Sequence, residues 1–217
     1  MGRGSSRASV GVGGGVMKPS DIKKEEDMFY FEGNKREFAV DDALAVDRNI
    51  VKEFGEAAAV KNMYVSELKD DNVLGYYRRG DNILALNQSY LDRDVMNATY
   101  DSGVASGFHP SRGSKSGTEA VVSHEYGHAL NDKAAQKMGV TMEDAAARIM
   151  SEARSSLRTK DGKVKHRGVV QMAKTISGYA KTNNKETIAE AFADVYCNGK
   201  KAKAESHAIV NTLKKYL

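Results

Sequence analysis

Residues 121–130 read Val121-Val122-Ser123-His124-Glu125-Tyr126-Gly127-His128-Ala129-Leu130, a His-Glu-x-x-His pattern set in an apolar run. Four residues advance an α-helix by slightly more than one turn, so His124 and His128 stack on one face. Two imidazole nitrogens placed in this way can bind one Zn2+, at about 2.0–2.1 Å each. Glu125 lies beside His124, positioned to reach a water rather than the metal. Val121, Val122, Ala129 and Leu130 would hold the helix in the core, putting the ligands on a rigid element. Just upstream, Ser116-x-x-Glu119 is a capping box, which predicts a helix from about Thr118 to Lys137. The competing reading is a helix with a stacked histidine pair and no metal.

A catalytic zinc usually has three protein ligands and an open fourth position. The stretch Ser177–Asp194, SGYAKTNNKETIAEAFAD, offers the third. Glu186 and Glu190 are four apart and share a helix face flanked by Ile188, Ala189, Phe192 and Ala193. One can ligate the metal while the other accepts a hydrogen bond from a ligand histidine. Spacing leaves open which does which, and two solvated glutamates are the alternative.

Together, HEYGHALND (124–132) and SGYAKTNNKETIAEAFAD (177–194) resemble the zinc-protease domain of anthrax lethal factor and its relatives, the Pro-Pro endopeptidases included. In that family a tyrosine in an S-x-Y-like segment lies seven residues before the ligand glutamate, and a second glutamate follows the ligand by four. Tyr179, Glu186 and Glu190 match those intervals. The resemblance implies that His124, His128 and Glu186 bind Zn2+. It also implies that Glu125 is the general base, Tyr179 the transition-state donor, and Glu190 the partner behind a ligand. The implied fold is an α+β zincin, with a small sheet, an HExxH helix and a mainly helical C-terminal part. The implied activity is that of a zinc metalloendopeptidase acting on a peptide or protein substrate. The match spans residues 119–131 and 177–194. Similar modules stand behind linkers in phage head-morphogenesis and bacterial toxin-like proteins. The alternative function is therefore a catalytically silent or latent zincin-fold interaction module, part of a larger polypeptide or a phage particle.

The rest of the chain bounds these readings. Residues 1–27 are expected to be a flexible tail or linker, since nine of the first sixteen are glycine or serine; residues 28–217 are expected to form the domain. Asp41 is expected to cap a helix running to about Val60. Val73–Tyr77 and Ile83–Leu86 are expected strands joined by an Arg79-Gly80-Asp81-Asn82 turn. As an edge strand, 83–87 would pair with an extended substrate, with Leu84 and Leu86 as binding residues; as an internal strand it could not. Residues 101–118 read as a Gly/Ser-rich loop, in which His109 either meets substrate, fills a fourth zinc position or has no role. Further helices are expected at 142–157, 168–177, 185–198 and 201–216.

The single cysteine, Cys197, excludes an internal disulfide framework. A net charge of +4 from 33 basic and 29 acidic interspersed residues lacks the clustered stripe of a nucleic-acid binder. No apolar run is long enough for a membrane span. No secretory signal is legible, which leaves localisation open between cytoplasmic, virion-associated and non-classical delivery.

Overall fold

Ile83-Leu84-Ala85-Leu86 is apolar at four successive positions, a pattern that suits a strand covered on both faces. The computed structural model describes residues 17–31 and 36–217 and places this segment in β4 (Ile83–Asn87), buried at every position. β4 lies inside a four-stranded sheet with β1 (Ile22–Asp27), β2 (Asn62–Leu68) and β3 (Gly75–Arg78), in the order β1-β2-β4-β3. It runs parallel to β2, from Asn62↔Ile83 to Ser66↔Asn87, and antiparallel to β3, from Gly75↔Leu86 to Arg78↔Ile83. β1 completes the sheet antiparallel to β2. The expected β3–β4 hairpin turns through Arg79–Asn82, with Asn82 at φ 52°, a left-handed conformation that asparagine tolerates.

Two expectations need correction here. Leu84 and Leu86 are fully buried in the main core, and β2 and β3 occupy both edges of β4. These leucines therefore cannot receive a substrate strand. Among the described residues the outer strands are β1 and β3. The second correction concerns the tail. Ile22–Asp27 is a strand laddered to β2, and Met28 and Phe31 beyond it are buried in the main core. The sequence IKKEED has no apolar alternation, so its strand character comes from pairing alone. Residues 1–16 lie outside the described residues.

Seven helices follow among the described residues: α1 (Arg36–Phe54), α2 (Arg93–Ala105), α3 (Gly117–Met138), α4 (Met142–Ser156), α5 (Val169–Ile176), α6 (Asn184–Asn198) and α7 (Ala204–Lys214). The class is α+β. Core residues of all seven helices gather in one cluster with Met63, Val65, Leu84 and Leu86 of the sheet. α1 begins before Asp41 and stops at Phe54, where Gly55 takes φ 83°. α2 occupies part of the expected loop; Asp92 caps it, and Met96, Tyr100 and Gly103 turn inward. No described helix is long and apolar enough to cross a membrane.

The best-buried helix is α3. Its capping box is formed, with Glu119 N–H donating to Ser116 Oγ (3.1 Å) and Ser116 N–H to Glu119 Oε2 (2.9 Å). Gly139 closes it at φ 66°. Every residue from Gly117 to Asp132 except Glu119 is buried, as in a helix surrounded by protein. The Tyr126 hydroxyl ties α3 to Asp47 of α1. On the α6 side, a Cβ at Gly127 would lie 2.6 Å from Ala189 Cα, so the missing side chain lets the two helices meet closely.

Candidate metal centre

That close approach sets His124 and His128 of α3 against Glu186 and Glu190 of α6. Asn183 caps α6 by accepting from the Glu186 N–H (3.0 Å), which puts Glu186 in the first turn, where the helix dipole favours a carboxylate. Glu186 Oε2 lies 3.2 Å from His124 Nε2 and 3.3 Å from His128 Nε2. Tetrahedral ligands at zinc distances sit about 3.3 Å apart, so the spacing is that of three ligands around a common centre. The same atoms lack hydrogen bonds: His124 Nε2, His128 Nε2 and both Glu186 oxygens are buried and unpartnered, as are both oxygens of Glu125. Buried polar atoms are ordinarily paired, and several orphans facing one point fit a cation held there. His124, His128 and Glu186 are the described His/Cys/Asp/Glu group that could hold a metal ion.

Glu190 occupies a different position, behind His124. Its Oε1 lies 2.9 Å from His124 Nδ1 and 3.2 Å from His109 Nδ1, while Oε2 accepts from Ser177 Oγ at 2.6 Å. A donating Nδ1–H on His124 leaves Nε2 as the lone-pair nitrogen facing Glu186. The structure thus separates the two glutamates that spacing left interchangeable. Glu186 meets the two Nε2 atoms, and Glu190 meets an Nδ1.

Burial and charge decide the protonation states. Burial opposes ionisation of Glu190, but hydrogen bonds from His109 and His124 and their attraction outweigh it, holding the carboxyl down at about 2. Glu186 is also held well below the usual carboxylate range, burial being outweighed by His128 and His124. Burial likewise opposes protonation of His124, yet the adjacent Glu186 and Glu190 carboxylates push it up to about 10 in the metal-free protein. Glu125 behaves oppositely: burial pushes its carboxyl up to about 7 despite the pull of His124 and His128. A carboxyl poised there can both take and return a proton near neutral pH.

Tyr179 stands over the same centre. Its ring stacks on His124 (centroids 5.9 Å apart, 20° between planes) and on Phe108 (4.9 Å, 29°). Burial, together with the nearby charges of Glu186, Glu125 and Glu190, raises the pKa of its hydroxyl, so it remains a donor.

Sequence reasoning missed two partners of the centre. His109, read as a loop histidine, is buried against Glu190, and Ser177 orients that carboxylate from the other side. The position of Ser177 within the S-x-Y-like segment was the available signal; for His109 there was none beyond a histidine in a nearby loop. Other histidine and acidic side chains make their pairs away from the centre. His166 pairs with Glu205 (2.8 Å), and Asp194 secures the start of α7 through Lys203 N–H (3.0 Å) and Ser206 Oγ (2.6 Å). Arg79 of the Arg-Gly-Asp turn is engaged with buried Asp132 at 2.7 Å.

Compared with family models, with curated proteins and with solved structures, the chain matches none.

Proposed function

We propose that this protein is a zinc-dependent endopeptidase of zincin type, hydrolysing peptide bonds in extended segments of protein substrates. The observation that carries the reading is the convergence of unpartnered buried atoms from His124, His128 and Glu186, at tetrahedral ligand spacing, beside the equally unpartnered Glu125. The donor set, two imidazoles and one carboxylate, is one that zinc accepts in hydrolytic sites. These three residues would hold the ion, which when bound acidifies water and polarises a carbonyl.

The remaining chemistry belongs to the chain. Glu125 takes a proton from the attacking water and returns it to the leaving amine. The Tyr179 hydroxyl donates to the oxyanion that develops on the scissile carbonyl. Glu190 keeps the proton of His124 on Nδ1. The substrate strand is assigned to the outer edge of β3, in place of the β4 edge that was one of two readings of the sequence. β3 lies along the active helix: a Cβ at Gly75 would be 2.9 Å from Val121 Cγ1, and at the other end the Tyr77 hydroxyl reaches Asp132 (3.1 Å). His124, Glu125 and His128 lie between those two anchor points on α3, so a peptide paired with β3 passes beside them.

A second reading is a latent or silent module of the same fold, and the complete burial of Glu125 favours it. Both are tested by incubating the zinc-loaded protein with a diverse peptide library and reading products by mass spectrometry, with Glu125→Ala as the paired control. Zinc-dependent products absent from the variant support the peptidase. A folded, zinc-loaded protein that yields none supports the latent module.

A further inference from the structure

His109 lies outside the ligand set, yet its surroundings are built to hold it. It is buried, and its ring stacks on Tyr100 with centroids 4.9 Å apart and 10° between planes. Phe108 meets it edge-on at 4.8 Å. A glycine makes the space: a Cβ at Gly103 would lie 2.6 Å from His109 Cδ2. If packing were its only role, an apolar side chain would serve better, because His109 Nε2 is left buried without a partner. What the imidazole supplies is Nδ1, directed at Glu190 Oε1 (3.2 Å).

The carboxylate that receives it carries three donors, from His109, His124 and Ser177. Three donors fix both the plane of the Glu190 carboxylate and the oxygen that faces His124. The loop bearing His109 is also joined to the segment bearing Tyr179. Gly178 N–H donates to Gly107 O (2.7 Å), Tyr179 N–H donates to Phe108 O (2.9 Å), and the His109 ring meets Tyr179 edge-on at 5.9 Å. One short loop therefore supports the orientation of a ligand histidine and the placement of the tyrosine.

We propose that His109 is a positioning residue of the metal centre. It acts through Glu190 to lock His124 in the Nδ1–H tautomer and so sets the affinity for the metal, while its loop holds Tyr179 over the site. The proposal rests on the reading of His124, His128 and Glu186 as a metal centre and extends it to an element that contributes no ligand.

The test is zinc affinity of the full chain, measured by competition with a chromophoric chelator. It compares wild type, His109→Leu, which removes the donor at similar bulk, and His109→Asn, whose amide nitrogen falls near the position of Nδ1. Loss of a hydrogen-bond partner behind a metal ligand typically weakens binding about 10–100-fold. That loss is expected in His109→Leu, with substantial recovery in His109→Asn. Gly103→Ala gives an independent variant: it keeps every donor, favours the α2 helix and displaces the His109 ring, so it should weaken zinc binding as well. Wild-type zinc uptake with unchanged affinity in both His109→Leu and Gly103→Ala overturns the role of His109 alone. Equal loss in the Leu and Asn variants also overturns it, since a packing role does not distinguish them by donor. A folded wild-type chain that takes up no zinc overturns the metal centre, and this proposal with it.

Discussion

Gly127→Ala tests whether the closeness of α3 and α6 sets the geometry of the centre. The added Cβ would lie 2.6 Å from Ala189 Cα, 3.2 Å from Phe192 Cβ and 3.3 Å from Ala189 Cβ. Carbon atoms make contact at roughly 3.5 Å or more, so the helices must part by about 0.9 Å at the point where His124 and His128 face Glu186. On an exposed helix the same substitution stabilises by about 1 kcal/mol, because glycine is the poorer helix former. Here overpacking opposes it at about 1–3 kcal/mol, giving a net loss of up to about 2 kcal/mol. The effect on the metal is larger. Ligand distances tolerate deviations of about 0.2 Å, and separations of 3.2 and 3.3 Å between Glu186 and the histidines leave no slack for such a shift. Zinc affinity should fall at least about 10-fold, as it does when a ligand loses its support. Urea denaturation of the metal-free protein and chelator competition measure the two quantities separately. A variant that is more stable than wild type and binds zinc equally well would refute the argument that this glycine sets the ligand spacing.

Two further outcomes are expected. Tyr179→Phe should lower kcat for a cleaved peptide by about 10²–10³-fold, the usual effect of removing one oxyanion donor, while zinc affinity stays near wild type; unchanged turnover would remove Tyr179 from the chemistry. In the metal-free protein, thermal stability should peak between about pH 4.5 and 6.5. The raised pKa of His124 stabilises fully below its ordinary 6.5 and is lost as pH rises through about 10, whereas the lowered pKa of Glu190 stabilises above its ordinary 4.5 and is lost as pH falls through about 2. Melting curves of chelator-treated protein across this range decide it, and a stability that rises from pH 6.5 to 10 would contradict the assignment of these groups.

Local signals carried much of the helical architecture. The Ser116/Glu119 box lies at the start of α3, and α6 ends at Asn198, where the helix expected at 185–198 ends. These features are written in neighbouring residues, because caps and periodicity act over three or four positions. That His124 and His128 share one face, and Glu186 and Glu190 another, was legible for the same reason; that the two segments form one site was implied by the family resemblance. β1 and α2 were not legible. IKKEED has no apolar alternation and lies in a strand through its ladder to β2, and Ser102 and Gly103, read as loop from their residue types, continue a helix whose Tyr100 stacks on the buried His109.

The sequence by itself determined which residue types could meet a metal and that each pair would share a helix face, since helix geometry follows from the backbone. Only the tertiary structure decided how those pairs face each other. It set Glu186 toward both Nε2 atoms and Glu190 behind His124, added His109 and Ser177, and enclosed β4 between two partners, leaving the outer edges to β1 and β3. The physical reason is range. A cap or a helical face is settled within one turn, whereas the carboxylate behind His124 comes from 66 residues away and the strand that covers one edge of β4 from about 20.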